Sequence, residues 1–168
     1  TAFWSHTYTS WDQIRTIDWS VHGLVIDWRR FMTHQCCTFI DNESAPLRKF
    51  TPRVPTTTNL MGTYVELNQH EMVKHLDVVS WDNYPAWHRE ADLLLTASYQ
   101  CMIHDLNRSL KGGTPYLLME NTPSQVNWQP TSRLKRPGVH RLTGLSAIAH
   151  GSDGVSYFQW RKSRGSSE

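Results

Sequence analysis

The chain has 168 residues, 39% of them hydrophobic, and 17 Lys and Arg against 15 Asp and Glu give a formal net charge of +2. That length suits one domain with a core of its own, and a charge so near zero supplies no strong drive toward nucleic acid or an anionic membrane. No apolar run approaches the ~20 residues of a transmembrane helix. The opening Thr1-Ala-Phe-Trp-Ser-His6 has neither the charged nor the apolar region of a secretory signal, and without an initial Met the chain reads as an internal piece of something longer.

In chain order, Leu24, Trp28, Phe31, Met32, Cys36, Phe39 and Ile40 recur at helical spacing and predict an amphipathic helix over 22–50, closed or kinked by Pro46 and Thr51-Pro52. Residues 54–61, rich in β-branched threonines and ended by Gly62, read as a short strand. A helix is expected from Glu66 to His75, and a second strand over 77–81, followed by the loop Asp82-Asn83-Tyr84-Pro85. A helix from Arg89 to Leu110 is stopped by Gly112-Gly113. The near-continuous apolar run 115–120 ends in Glu120, and a long polar loop with three prolines follows to Pro137. A short helix over 138–150 and a fourth strand over 155–160 complete the series.

Continuous apolar strands alternating with helices indicate a parallel sheet covered on both faces. Strand starts near 54, 77, 115 and 155 match the spacing of (β/α)₈ barrel units, and four strands make half a barrel. A doubly wound sheet is the alternative, but no GxGxxG follows the first strand. In a barrel, Asn59, Trp81 with Asp82-Asn83-Tyr84, Glu120 and Trp160 all fall at C-terminal strand ends, the rim on which such enzymes build their sites.

Several chemistries drop out. Cys36, Cys37 and Cys101 are odd in number and form no CxxC pair, so they read as buried, reduced thiols rather than a disulfide framework or zinc ribbon. His70 and His75 are five apart, one too many for a zincin helix. There is no GxSxG elbow, and Gly112-Gly113 lacks the Lys-Ser/Thr continuation of a phosphate loop. The basic pieces 133–136 and 161–164 read as solvated loops. The sequons at Asn42 and Asn107 fall in expected helices and are discounted.

What remains is a carboxylate among aromatics. The chain holds 8 Trp, 6 Tyr and 5 Phe, many beside polar residues, a combination that serves either core packing or the apolar faces and hydroxyls of a sugar. Glu120, with Tyr84 ending the preceding strand and Trp128 in the loop beyond, describes a site for an oxocarbenium-like transition state. Glycoside hydrolysis needs two carboxylates, and only Glu120 fits here.

At Leu117-Leu-Met-Glu-Asn-Thr-Pro-Ser-Gln-Val-Asn-Trp128 the chain resembles glycoside hydrolase family 42, the bacterial β-galactosidases. The likeness runs over essentially the whole length, through Thr1-Ala-Phe-Trp-Ser-His6, Asp27-Trp-Arg-Arg-Phe31, Thr58-Asn-Leu-Met-Gly62, Val79-Ser-Trp-Asp-Asn-Tyr-Pro85, His104-Asp-Leu-Asn-Arg108 and the stretch from Tyr157 to Glu168. The resemblance implies a (β/α)₈ TIM barrel in an α/β chain, of which residues 1–168 are a partial catalytic domain truncated at both ends: the C-terminal half, strands five to eight with the preceding helix. It implies a retaining mechanism with Glu120 as nucleophile, Tyr84 orienting that carboxylate, Trp128 lining the galactose subsite and Glu168 binding sugar hydroxyls. It also implies a β-galactoside substrate, no cofactor and no metal among these residues, no nucleic-acid or membrane partner, a homotrimeric parent and cytoplasmic residence.

Two departures stand out. The family's acid/base glutamate follows an asparagine at the end of strand four; the one Asn-Glu pair, Asn42-Glu43, lies in a helix and is not given that role, so the proton donor is expected outside these residues. Asn121 stands where many relatives have Ser. Taken alone, 1–168 is expected to turn over little or nothing and to expose two sheet edges. The competing readings are a retaining barrel glycosidase for another sugar, separable by a panel of aryl glycosides, and a non-catalytic carbohydrate-binding protein, which would bind galactose without Glu120-dependent turnover. A basic nucleic-acid binder would show steep salt dependence.

Overall fold

The computed structural model describes residues 7–15, 21–87, 92–123, 126, 133–161 and 164. The chain divides into two compact units, Thr1–Val54 with Tyr64–His75 and Pro55–Thr63 with Leu76–Glu168.

In the first unit the long expected helix is present as α1, His22–Phe50. It does not close at Pro46 but continues through it for another turn, reaching Thr51, whose N–H still bonds the Leu47 carbonyl at 2.7 Å. The helix expected from Glu66 starts later, as the single turn α2, Gln69–Met72, followed by a 3₁₀ turn over Val73–His75. The cause is Asn68, whose side chain accepts from the His70 N–H and so sets the N-terminus beyond Glu66. Glu66 is instead paired with α1, taking a two-pronged hydrogen bond from Arg29 (Nε to Oε2 2.8 Å, Nη2 to Oε1 2.9 Å). His75 Nδ1 meets Asp41 at 2.9 Å.

The second unit is a four-stranded, all-parallel sheet in the order β1-β2-β3-β4, formed by Asn59–Leu60, Ser80–Asn83, Tyr116–Asn121 and Ser152–Val155. Helices α3, Leu93–Ser109, and α4, Val139–Ala149, follow β2 and β3. The alternation of strand and helix is as expected; the strand limits are not. β1 keeps only two of the expected residues because the threonine hydroxyls before it bond backbone and side chains: Thr56 N–H and hydroxyl both bond Asp77 Oδ2 at 2.8 Å, and Thr57 donates to the Val78 carbonyl at 2.8 Å. β4 lies earlier than the expected 155–160. Its turn is made by Gly151 at φ +93°, and Gly154 lets the strand lie close to the Leu117 side chain.

The core of this unit holds Leu60, Val79, Trp81, Ile103, Tyr116, Leu118 and Ala147. Its polar centre is His104, 1% exposed, whose Nδ1 lies 2.7 Å from the Tyr116 hydroxyl and whose ring meets Trp81 edge-on at 5.0 Å. Burial holds His104 down to about 4, with His150 adding to the effect and Asp105 opposing it. Asn107, the second sequon asparagine, is buried and donates to the Ile103 carbonyl. Of the three thiols, Cys37 is buried while Cys36 and Cys101 are half-buried, and all are free.

Candidate functional site

The site forms at β1 and at the C-terminal ends of β2 and β3, where four polar side chains meet. Asp82 and Glu120 are Cα partners across the β2–β3 ladder. Asn59, at the start of β1, reaches both: its Nδ2 lies 2.9 and 3.1 Å from the two oxygens of Asp82 and 3.1 Å from Glu120 Oε1. The Tyr84 hydroxyl, one residue past β2, donates to the other Glu120 oxygen, Oε2.

A bulge puts Glu120 there. Trp81 pairs with Leu118, but Asp82 pairs with Glu120, so Met119 is an extra residue on β3. Strict alternation would place Glu120 on the same side as Leu118, which is fully buried and paired with Trp81 on the helix-facing side of the sheet. The inserted residue switches the parity. Glu120 turns to the side of Asn59 and Asp82, and Asn121 takes the helix-facing side, fully buried with its Nδ2 3.4 Å from the Thr143 hydroxyl of α4. Asn121 is therefore a sheet–helix packing residue rather than a neighbour of the Glu120 carboxylate.

The electrostatics follow from crowding. Burial pushes the Asp82 carboxyl up to about 6; the Asn59 hydrogen bond works against this and the Glu120 charge adds to it. Among the described residues no group of three or more His, Cys, Asp or Glu is placed to hold a metal ion.

Two expected rim residues are elsewhere. Trp81 is 1% exposed and packs on His104 in the core, because it alternates with Asp82 along β2. Trp160 is 97% exposed and lies five residues beyond the end of β4, not at a strand end. The contact of Asn59 with both carboxylates was not evident from the sequence, where Asn59 shows only as the polar residue closing a threonine-rich run.

Chain-wide comparison decides the family. The family model described as beta-galactosidase, of glycoside hydrolase family 42, matches residues 1–168. The chain belongs to glycoside hydrolase family 42. Beta-galactosidase BglY of Alicyclobacillus acidocaldarius is 54% identical over 172 residues, an overlap that takes in all of this chain and 25% of the relative. The solved cold-adapted beta-galactosidase from Rahnella sp. R3 is 51% identical with a TM-score of 0.91, covering 99% of this chain and 25% of that one. The beta-galactosidase from Bacillus circulans sp. alkalophilus is 43% identical with a TM-score of 0.86, covering 100% and 26%. This family 42 chain thus spans about a quarter of the length of the relatives it matches. Trp128 and Glu168, the remaining two candidates, lie outside the described residues.

Proposed function

We propose that this chain is part of the catalytic (β/α)₈ barrel domain of a retaining β-galactosidase, its four strands being strands five to eight, and that Glu120 is the nucleophile. The observation that carries the reading is the setting of Glu120 at the end of β3, with one carboxylate oxygen on the Asn59 amide and the other on the Tyr84 hydroxyl. A carboxylate held by two donors and turned to the rim has the orientation a displacement reaction needs.

In the first step Glu120 attacks the anomeric carbon of a β-galactoside, the bond to the departing oxygen breaks, and a carboxylic acid protonates that oxygen. In the second, water attacks the glycosyl ester with the same acid now acting as base, and Glu120 leaves as the carboxylate. The second carboxylate belongs, in this reading, to the part of the relatives' length that the chain does not match. Trp128 lines the galactose subsite and Glu168 binds its hydroxyls. A homotrimeric parent and cytoplasmic residence complete the proposal and rest on the family resemblance alone.

The test is to trap the full-length protein with an activated 2-fluoro galactoside and locate the label by peptide mass spectrometry. Label on Glu120 is the expected result, and label on any other residue overturns the assignment. Purified 1–168 is expected to leave a nitrophenyl galactoside unhydrolysed; turnover that disappears in Glu120→Gln would show that the proton donor lies within these residues.

A further inference from the structure

We infer that Asp82 is a positioning residue for Glu120, acting through the Asn59 carboxamide that the two carboxylates share, an assignment that rests on Glu120 being the nucleophile proposed above. A carboxamide carries two N–H donors at one end and an acceptor at the other, and the torsion that exchanges them is broad and soft. Here the nitrogen stands 2.9 and 3.1 Å from Asp82 and 3.1 Å from Glu120 Oε1, so one hydrogen serves each carboxylate. Asp82 is the anchor of that arrangement: a second anion beside Glu120 selects the donor end of Asn59 and keeps it facing both. With Asn59 fixed, Oε1 of Glu120 has a donor that complements Tyr84 on Oε2, and the rotation of the nucleophile about its last torsion is closed from both sides.

The placement has no explanation in sheet stability. Like charges directly opposite on neighbouring strands are destabilising, yet Asp82 and Glu120 are direct partners. Of the strands beside Asp82, β1 presents the uncharged Asn59 and β3 presents Glu120. Asp82 is also poorly placed to be the proton donor of the reaction, because the one amide nitrogen engages both its oxygens, leaving neither directed at a leaving group. When Glu120 becomes a glycosyl ester its charge vanishes, the repulsion on Asp82 is relieved, and the anchor ionises more readily in the intermediate than in the free enzyme. The burial that raises the Asp82 carboxyl to about 6 puts its own titration within reach of an ordinary pH profile.

The experiment measures kcat and KM of the full-length protein and of its Asp82→Asn, Asn59→Ala and doubly substituted variants on nitrophenyl galactoside across the acid and alkaline limbs. A misplaced nucleophile costs on the order of 10–100-fold in rate. The expected result is a kcat lower by about that factor in each single variant with KM changed by less than about 3-fold, and a double variant no slower than Asn59→Ala alone, since one acts through the other. The inflection near 6 on the acid limb should be absent from Asp82→Asn and from Asn59→Ala alike, while both keep the alkaline limb, a pattern that general loss of structure would not produce. A wild-type kcat in Asn59→Ala, additive losses in the double variant, or loss of the alkaline limb in Asp82→Asn would each overturn the assignment, the last by making Asp82 the proton donor. Asn59→Ala keeps both carboxylates, so it decides the matter even if Asp82→Asn fails to fold. Full turnover in Glu120→Gln would instead sink the nucleophile reading itself, whereas inactive Glu120 variants beside unaffected Asp82 and Asn59 variants would sink this inference alone.

Discussion

Tyr84 donates its hydroxyl to Oε2 of Glu120 from the residue directly after β2, one strand away from the carboxylate it holds. The two side chains meet because β2 and β3 are in-register neighbours at their C-terminal ends, with Asn83 opposite Asn121. Hydrogen bonds to charged groups are worth about 1.5–3 kcal/mol. Tyr84→Phe removes only the hydroxyl, so the phenyl ring still fills the same space. In the full-length protein we expect kcat/KM on an aryl galactoside to fall by about 10–100-fold, mostly in kcat, each tenfold loss being about 1.4 kcal/mol. Steady-state kinetics check it; an unchanged kcat would mean that Asn59 alone suffices to hold the carboxylate.

Much of this arrangement was legible from residue order, and what was not has identifiable causes. α1 is legible because its 3.6-residue apolar pattern runs from Leu24 to Ile40, more than four turns, and the helix carries on through the interior proline to Phe50. The sequence points too late for β4: Ser152-Asp-Gly-Val155 is polar and glycine-bearing, while the aromatic run that follows looks more like a strand. The residues around Glu120 were legible as a set, but their contacts were not. Nothing in Leu117-Leu-Met119 announces a bulge, since three apolar residues give no periodicity to break, and the bulge decides which way Glu120 faces. Trp81 is the converse case. Once Asp82 is placed on the rim, alternation along the strand sends Trp81 to the core, a step that the period of two already contained.

The buried histidine gives a pH dependence with a definite sign. His104 is held down to about 4 from its ordinary 6.5, chiefly by burial. Below 6.5 the unfolded chain takes up a proton that the folded one refuses until about 4, so stability is lost as pH falls through that window. Between pH 7 and pH 5 this amounts to about 2 kcal/mol at 1.36 kcal/mol per unit. Asp82 works in the opposite direction: raised to about 6 from 3.8, it holds a proton that the unfolded chain has released, and its contribution is lost as pH rises through that range. Replacing His104 by Gln should therefore remove the roughly 2 kcal/mol acid-side loss due to the histidine and leave the opposing Asp82 contribution in place. Native-state hydrogen exchange of the β3 amides, corrected for intrinsic rate, is the measurement; an equal acid slope in His104→Gln would assign the sensitivity to other groups.

Gly151 offers a test in which two causes of destabilisation can be separated. It joins α4 to β4 at φ +93°, a region that costs an L-residue about 1 kcal/mol or more. A methyl group there would also stand 2.9 Å from Nε, Cζ and Nη1 of Arg108. Those atoms are the far end of a flexible side chain, and the Nε bond to the Gly113 carbonyl is a long 3.4 Å, so the guanidinium can move aside at little cost. The backbone dihedral is then the larger penalty. Gly151→Ala is expected to lower the stability of the β4 region by about 1–2 kcal/mol. Adding Arg108→Ala should recover less than about 0.5 kcal/mol of that, because it relieves the contact and leaves the dihedral. Hydrogen exchange in the Ser152–Val155 segment of the single and double variants distinguishes the two, and recovery of most of the loss in the double variant would make the guanidinium contact, not the left-handed turn, the reason that glycine is needed at this junction.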